Sequence, residues 1–138
     1  MGGRWNRRGR AVVYLAEHPA LAVLEVRVHL DLPPELLPDD YVLVRVLLPG
    51  GSMSTVDAVP DGPMATGPIA TGPMATGPIA TGDAWLMAAE TAVLRVPSVL
   101  VPHAWNLLLN PAHPAAADAR ILAEQPFRFD PRLWVAPL

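Results

Sequence analysis

The sequence predicts an α/β (α+β) domain built on a mixed sheet, and three observations carry that reading. Strand-like and helix-like apolar runs alternate along the N-terminal third. A further apolar run with a proline inside it follows at residues 92–101. A content of 51% apolar and 17% charged residues is that of a packed core rather than a disordered chain. At 138 residues the chain suits one domain that buries roughly two thirds of its unfolded surface.

Residues 10–16 form a β-branched and aromatic run after Gly9, which predicts a strand carrying Tyr14. Pro19 suits the first turn of a helix, and Ala20, Leu21, Leu24 and Val28 recur at spacings of three and four, so a helix is expected over 19–29. On that helix Glu25 shares the stripe of Leu21, Leu24 and Val28. A carboxylate carried into apolar surroundings is costly unless it is partnered, which makes Glu25 a functional candidate. The same stretch also alternates like a half-buried strand, and on that reading Glu25, Arg27 and His29 share a solvated face. Pro33, Pro34 and Pro38 mark a loop. Asp39 and Asp40 then precede residues 41–48, a nearly continuous apolar run interrupted by Arg45 and expected as a central strand.

Residues 62–82 hold four copies of a five-residue unit, Gly-Pro-Met-Ala-Thr alternating with Gly-Pro-Ile-Ala-Thr. A proline at every fifth position forbids a continuous helix or a central strand through the array, so it is expected as a surface loop inserted in the single domain. A ligand-binding tandem array is the alternative, although nothing charged or aromatic recurs in it. Regular structure is expected to resume at Gly82-Asp83-Ala84-Trp85-Leu86. In the run 92–101, Pro97 places a bulge or strand break before Ser98, whose hydroxyl can reach a ligand or bond its own backbone. No Gly-x-Ser-x-Gly elbow surrounds Ser98, which argues against a hydrolase nucleophile.

All ten basic residues are arginines and the net charge is −3. Arg4 follows the pair Gly2-Gly3, where the backbone can approach a ligand closely, and its planar fork can take a phosphate or carboxylate bidentately, so Arg4 is a candidate anion clamp. The plainer alternative packs its stem on Trp5 and pairs it with a surface carboxylate. Arg7, Arg8 and Arg10 complete a local basic patch, but nucleic-acid binding needs a broader basic face with stacking aromatics, and none is expected. With no cysteine there is neither a disulfide nor a thiolate site, and the four histidines lack metal-ligand spacing, so no metal and no resident cofactor are expected. The apolar runs fall short of the about 18 residues that a membrane helix needs, and no leader with a long apolar region is evident, so a soluble cytoplasmic protein is expected.

Seven stretches occur in order: Gly2-Gly3-Arg4-Trp5-Asn6, Val12-Val13-Tyr14, Leu24-Glu25-Val26, Gly82-Asp83-Ala84-Trp85-Leu86, Arg95-Val96-Pro97-Ser98, Trp105-Asn106 through Asn110-Pro111-Ala112-His113-Pro114, and Phe127-Arg128-Phe129-Asp130-Pro131-Arg132. Together they resemble the RES domain, the toxin half of RES/Xre toxin-antitoxin pairs, over nearly the whole chain except the repeats. The resemblance implies an ADP-ribosyltransferase-like fold and a toxin that cleaves NAD at its nicotinamide-ribose bond by hydrolysis, or by phosphorolysis with inorganic phosphate as co-substrate. It also implies an Xre-type antitoxin as partner, with a homodimer as a candidate assembly. The family's Arg, Tyr, Glu and Ser fall on Arg4, Tyr14, Glu25 and Ser98. In these roles Arg4 takes the pyrophosphate, Tyr14 with Trp5 offers aromatic faces, Glu25 opposes the charge of an oxocarbenium-like ribose, and Ser98 orients nicotinamide or phosphate. Relative to the family the chain looks shortened at its N-terminus, so one strand of the sheet is expected to be missing and activity to be weak. A protein ADP-ribosyltransferase, or an inactive paralogue that only binds the antitoxin, are the alternatives.

Overall fold

A computed structural model describes residues 2–61 and 77–134. Six strands and two helices are laid out as β1 (Val13–Ala16), α1 (Pro19–Arg27), β2 (Val42–Leu47), β3 (Met53–Thr55), α2 (Gly77–Ala88), β4 (Val93–Pro97), β5 (Trp105–Leu109) and β6 (Arg120–Pro126), with short 3₁₀ turns between them. The main sheet has the order β1-β5-β4-β3, with β3 and β4 parallel and the other pairs antiparallel. It is therefore the mixed sheet the sequence predicts.

Helix α1 starts where the proline places it. His18 is the N-cap, its Nδ1 accepting the N–H of Ala20 at 3.1 Å, and Pro19 occupies a position whose missing donor costs nothing. The helix ends at Arg27, two residues before the expected end, as the N–H groups of His29 and Leu30 bond three residues back and tighten the last turn. Only Leu21 is buried; Leu24 and Val28 stay 39% and 49% exposed, so the expected apolar stripe is largely at the surface.

Strand β2 departs from expectation. It is not central but pairs only with β6 in a separate two-stranded ribbon, with Val42, Val44 and Leu47 exposed. An unbroken apolar run looks the same whether both faces are buried or neither is, and the bulge between Arg45 and Val46 is where the pattern fails to repeat. Edge-to-face contacts of Phe129 with Tyr41, Phe127 and Trp134, with ring centroids 5.0, 5.0 and 5.8 Å apart, close the end of this ribbon. Arg27 lies 4.2 Å over Trp134 and donates to the Leu133 carbonyl at 3.1 Å, which fastens α1 to the same aromatic group.

The repeat array needs a correction at its C-terminal end. Its first fifteen residues, 62–76, lie outside the described residues, but the last unit, Gly77-Pro78-Ile79-Ala80-Thr81, is the first turn of α2 and not surface loop, with Gly77, Pro78 and Ile79 buried. Proline forbids a helix interior but not its first turn, and Gly77 supplies the positive φ of 95° with which the chain enters. Gly82 follows in close packing: a Cβ there would collide with the carbonyl oxygen of Trp5. Trp5 and Trp85 then cover Leu94, Val96 and Leu108 on one face of the sheet, while Ala92, Val93 and Leu109 form a second cluster at the other. Among the described residues no helix is long and apolar enough to cross a membrane.

Candidate functional site

Strand alternation sets out the site. Tyr14 faces Leu108 and Ala16 faces Asn106 across β1 and β5; Leu94 faces Leu108 and Val96 faces Asn106 across β4 and β5. Directly opposed residues share a face and so do residues two apart, so Tyr14, Asn106, Leu108 and Val96 all point to the side that Trp5 and Trp85 cover. Tyr14 and Asn106 are diagonal neighbours on it. Ser98, two residues past Val96, continues the same face beyond the end of β4, where its N–H bonds the Ala104 carbonyl at 2.8 Å.

At that end the sheet meets Glu25. Its Oε1 accepts the Ser98 hydroxyl at 3.0 Å and the Asn106 side-chain amide at 2.7 Å. Ser98 Oγ also accepts the N–H groups of Leu100 and Val101 at 3.1 and 3.2 Å, so its one donor and both its lone pairs are in use. The structure thus joins Glu25 and Ser98, 73 residues apart, with the serine hydroxyl engaged by the carboxylate and by its own turn. Glu25 Oε2 accepts no hydrogen bond among the described residues.

A second constellation surrounds Arg4. Gly3, Arg4, Trp5 and Asn6 form a tight turn closed by Gly3 N–H to the Asn6 carbonyl at 3.1 Å and Asn6 N–H to the Gly3 carbonyl at 3.4 Å. Asn6, only 2% exposed, is its hub. Its Oδ1 accepts the Gly3 N–H at 3.0 Å and the Tyr14 hydroxyl, and its Nδ2 donates to the carbonyls of Arg7 and Arg10 at 3.2 and 2.8 Å. The Tyr14 hydroxyl in turn accepts the Trp5 N–H at 3.1 Å, and a Cβ at Gly3 would strike the same phenol. Arg4 is carried at the turn between these contacts, half-buried, and makes no ion pair among the described residues. Burial of the hydroxyl end pushes the Tyr14 phenol above its ordinary value, with the Trp5 N–H and the Arg4 charge opposing that rise. Arg7 and Arg10 are held by the buried Asp83 of α2, at 3.1 and 3.8 Å.

Trp5 is the expectation that fails. At 3% exposure it is core, packed with Trp85, Leu94, Val96 and Leu108, and it cannot offer a face to a substrate. The turn that leaves Arg4 half-buried buries its neighbour fully. Two residues were missed: Asn6, which orders the arginine turn, and Asn106, which holds Glu25. Both stand within stretches singled out in the sequence, and alternation along 94, 96, 98 and along 106, 108 was the signal for Asn106. Glu25 lines neither of two concavities, one of ≈ 320 Å³ beside Arg10 and Pro111 and one of ≈ 580 Å³ between α1 and the stretch around Phe127 and Leu133.

Fold and site together define a mixed-sheet α/β domain with one restrained carboxylate and one arginine-bearing turn. The RES domain model matches residues 1–130, and the chain belongs to the RES domain family. A Prs ADP-ribosylating toxin of Sphingobium sp. (strain YBL2) is 39% identical over 132 residues, covering 96% of this chain and 80% of that protein. A Toxin Res of Pseudomonas putida is 38% identical over 134 residues, 97% of this chain and 87% of that protein, and a Toxin Res of Yersinia enterocolitica is 34% identical over 96% and 84%.

Proposed function

We propose that this protein is a toxin that consumes NAD by breaking its nicotinamide-ribose bond, with Glu25 as the catalytic carboxylate. One observation supports this above the others: Oε1 of Glu25 takes both side-chain donors, which leaves Oε2 to meet a ligand. As the C1′–N bond breaks, its electron pair leaves with nicotinamide, and positive charge develops on the ribose. A carboxylate already held in place lowers that barrier without reorganising. Arg4, at the tip of its turn, is suited to the pyrophosphate, and the exposed ring of Tyr14 lies on the same sheet face. Water adding at C1′ and losing a proton to solvent gives ADP-ribose; inorganic phosphate adding there gives the 1-phosphate. An Xre-type antitoxin covering the open sheet end would hold the toxin silent in the cytoplasm.

A protein acceptor is the second reading, favoured by the name of the Sphingobium relative, an ADP-ribosylating toxin. The two are separated by incubating the purified protein with NAD labelled in its adenylate half, with and without a cell extract. Free ADP-ribose or its 1-phosphate together with nicotinamide supports the first, and label on a protein band supports the second. No release of nicotinamide in either sample would overturn both.

A further inference from the structure

Asn106, on β5, is one of the two donors to Glu25 Oε1, and its own part in turnover has not yet been assigned. Its backbone is held on both sides, opposite Ala16 on β1 and Val96 on β4, so its side chain springs from an interior strand of the main sheet. It makes the shortest bond Glu25 receives, 2.7 Å from Nδ2 to Oε1, across 81 residues of sequence. The amide can face the carboxylate only with its nitrogen, because the opposite flip would set oxygen against oxygen; Nδ2 toward Glu25 therefore leaves Oδ1 turned away from it. Ser98 reaches the same Oε1 from β4. With two donors on one oxygen, rotation about the last torsion of Glu25, otherwise a broad and soft one, is restrained.

We infer that Asn106 is a positioning residue for Glu25, fixing the plane of its carboxylate so that the oxygen not bonded to Asn106 and Ser98 is held toward the ribose of NAD. This rests on the reading of Glu25 as the catalytic carboxylate. Asn106 itself touches no reacting atom: it acts on the angle at which Oε2 is offered. A Glu25 that can rotate still binds NAD through the arginine turn, but it spends less time aimed at C1′, so the loss falls on turnover and not on affinity.

The test uses the full chain with Asn106→Ala, which removes the donor, and Asn106→Asp, which keeps the size and replaces a donor with an acceptor. Nicotinamide release is followed against NAD concentration, binding is measured with carba-NAD, whose C1′–N bond is not cleaved, and melting temperature reports folding. The expected result is a fall in kcat of about tenfold or more, with KM and the carba-NAD affinity within about threefold of the parent. Asn106→Asp should fall at least as far, since it sets a second carboxylate against the first. Parental kcat in either folded variant would overturn the inference. So would losses that appear equally in affinity and melting temperature, or failure of both variants to fold, since either result makes Asn106 a structural residue. The function reading fails separately: a wild-type protein that releases no nicotinamide removes that reading, and this inference with it.

Discussion

The Tyr14 hydroxyl accepts the backbone N–H of Trp5 at 3.1 Å, and through that bond strand β1 holds the turn that carries Arg4. Tyr14→Phe keeps the ring but leaves the Trp5 N–H and the buried Asn6 Oδ1 each short of a partner. A loss of about 1–3 kcal/mol is expected, read as a lower denaturation midpoint, together with a higher KM for NAD as Arg4 loosens. An unchanged midpoint would show that the turn stands without the phenol.

The raised Tyr14 phenol predicts a signed pH effect. A group whose proton is held more tightly in the folded state stabilises fully below its ordinary value of 10.0, and that contribution is lost as pH rises through the higher folded value. The wild type should therefore weaken above about pH 10 more steeply than Tyr14→Phe. Parallel stability curves for the two proteins over that range would contradict the assignment.

At the C-terminal turn, Arg132 grips Asp130 at 2.7 Å and its own N–H bonds the same carboxylate at 2.9 Å. These bonds hold the Asp130 carboxyl at about 2, below its ordinary 3.8. In Arg132→Ala the NMR titration midpoint of Asp130 should move up toward 3.8, stopping short of it because the backbone bond survives. The pair lies at the surface, so the melting temperature should barely change. A midpoint unmoved by the substitution would mean the pair does not persist in solution.

Gly82→Ala should cost about 1–3 kcal/mol, because its Cβ has to push the Trp5 carbonyl and with it the arginine turn. Ile79→Ala should cost about 2–4 kcal/mol, since Ile79 is only 7% exposed. Chemical denaturation measures both, and near-neutral values would return the last repeat unit to the surface.

Helix α1 with Glu25, the strand break at Ser98 and the strand of Tyr14 were legible in the sequence because each is written in local spacing and in the rules for proline. The site's wiring was not. That β5 lies between β1 and β4 is a fact of long-range pairing, and without it the alternation that puts Asn106 beside Ser98 has no face to refer to. Trp5 was misread because adjacency to Arg4 says nothing about burial, and within the turn closed by Gly3 and Asn6 it is Trp5 that enters the core while Arg4 stays half-buried. Strand β2 was misplaced because its apolar run does not record whether anything covers it. The repeats misled where a rule true of helix interiors was extended to a helix start.

That helix start makes one copy of the array unlike the other three. Because the units alternate between methionine and isoleucine, losing the last copy sets a methionine in the place of Ile79, while losing any other copy, or any adjacent pair, leaves an isoleucine there. The first change is a swap of similar volume at a buried position, worth less than about 1.5 kcal/mol, and the others leave that position as it was. The array can therefore shorten by whole units with at most a faint trace in the core.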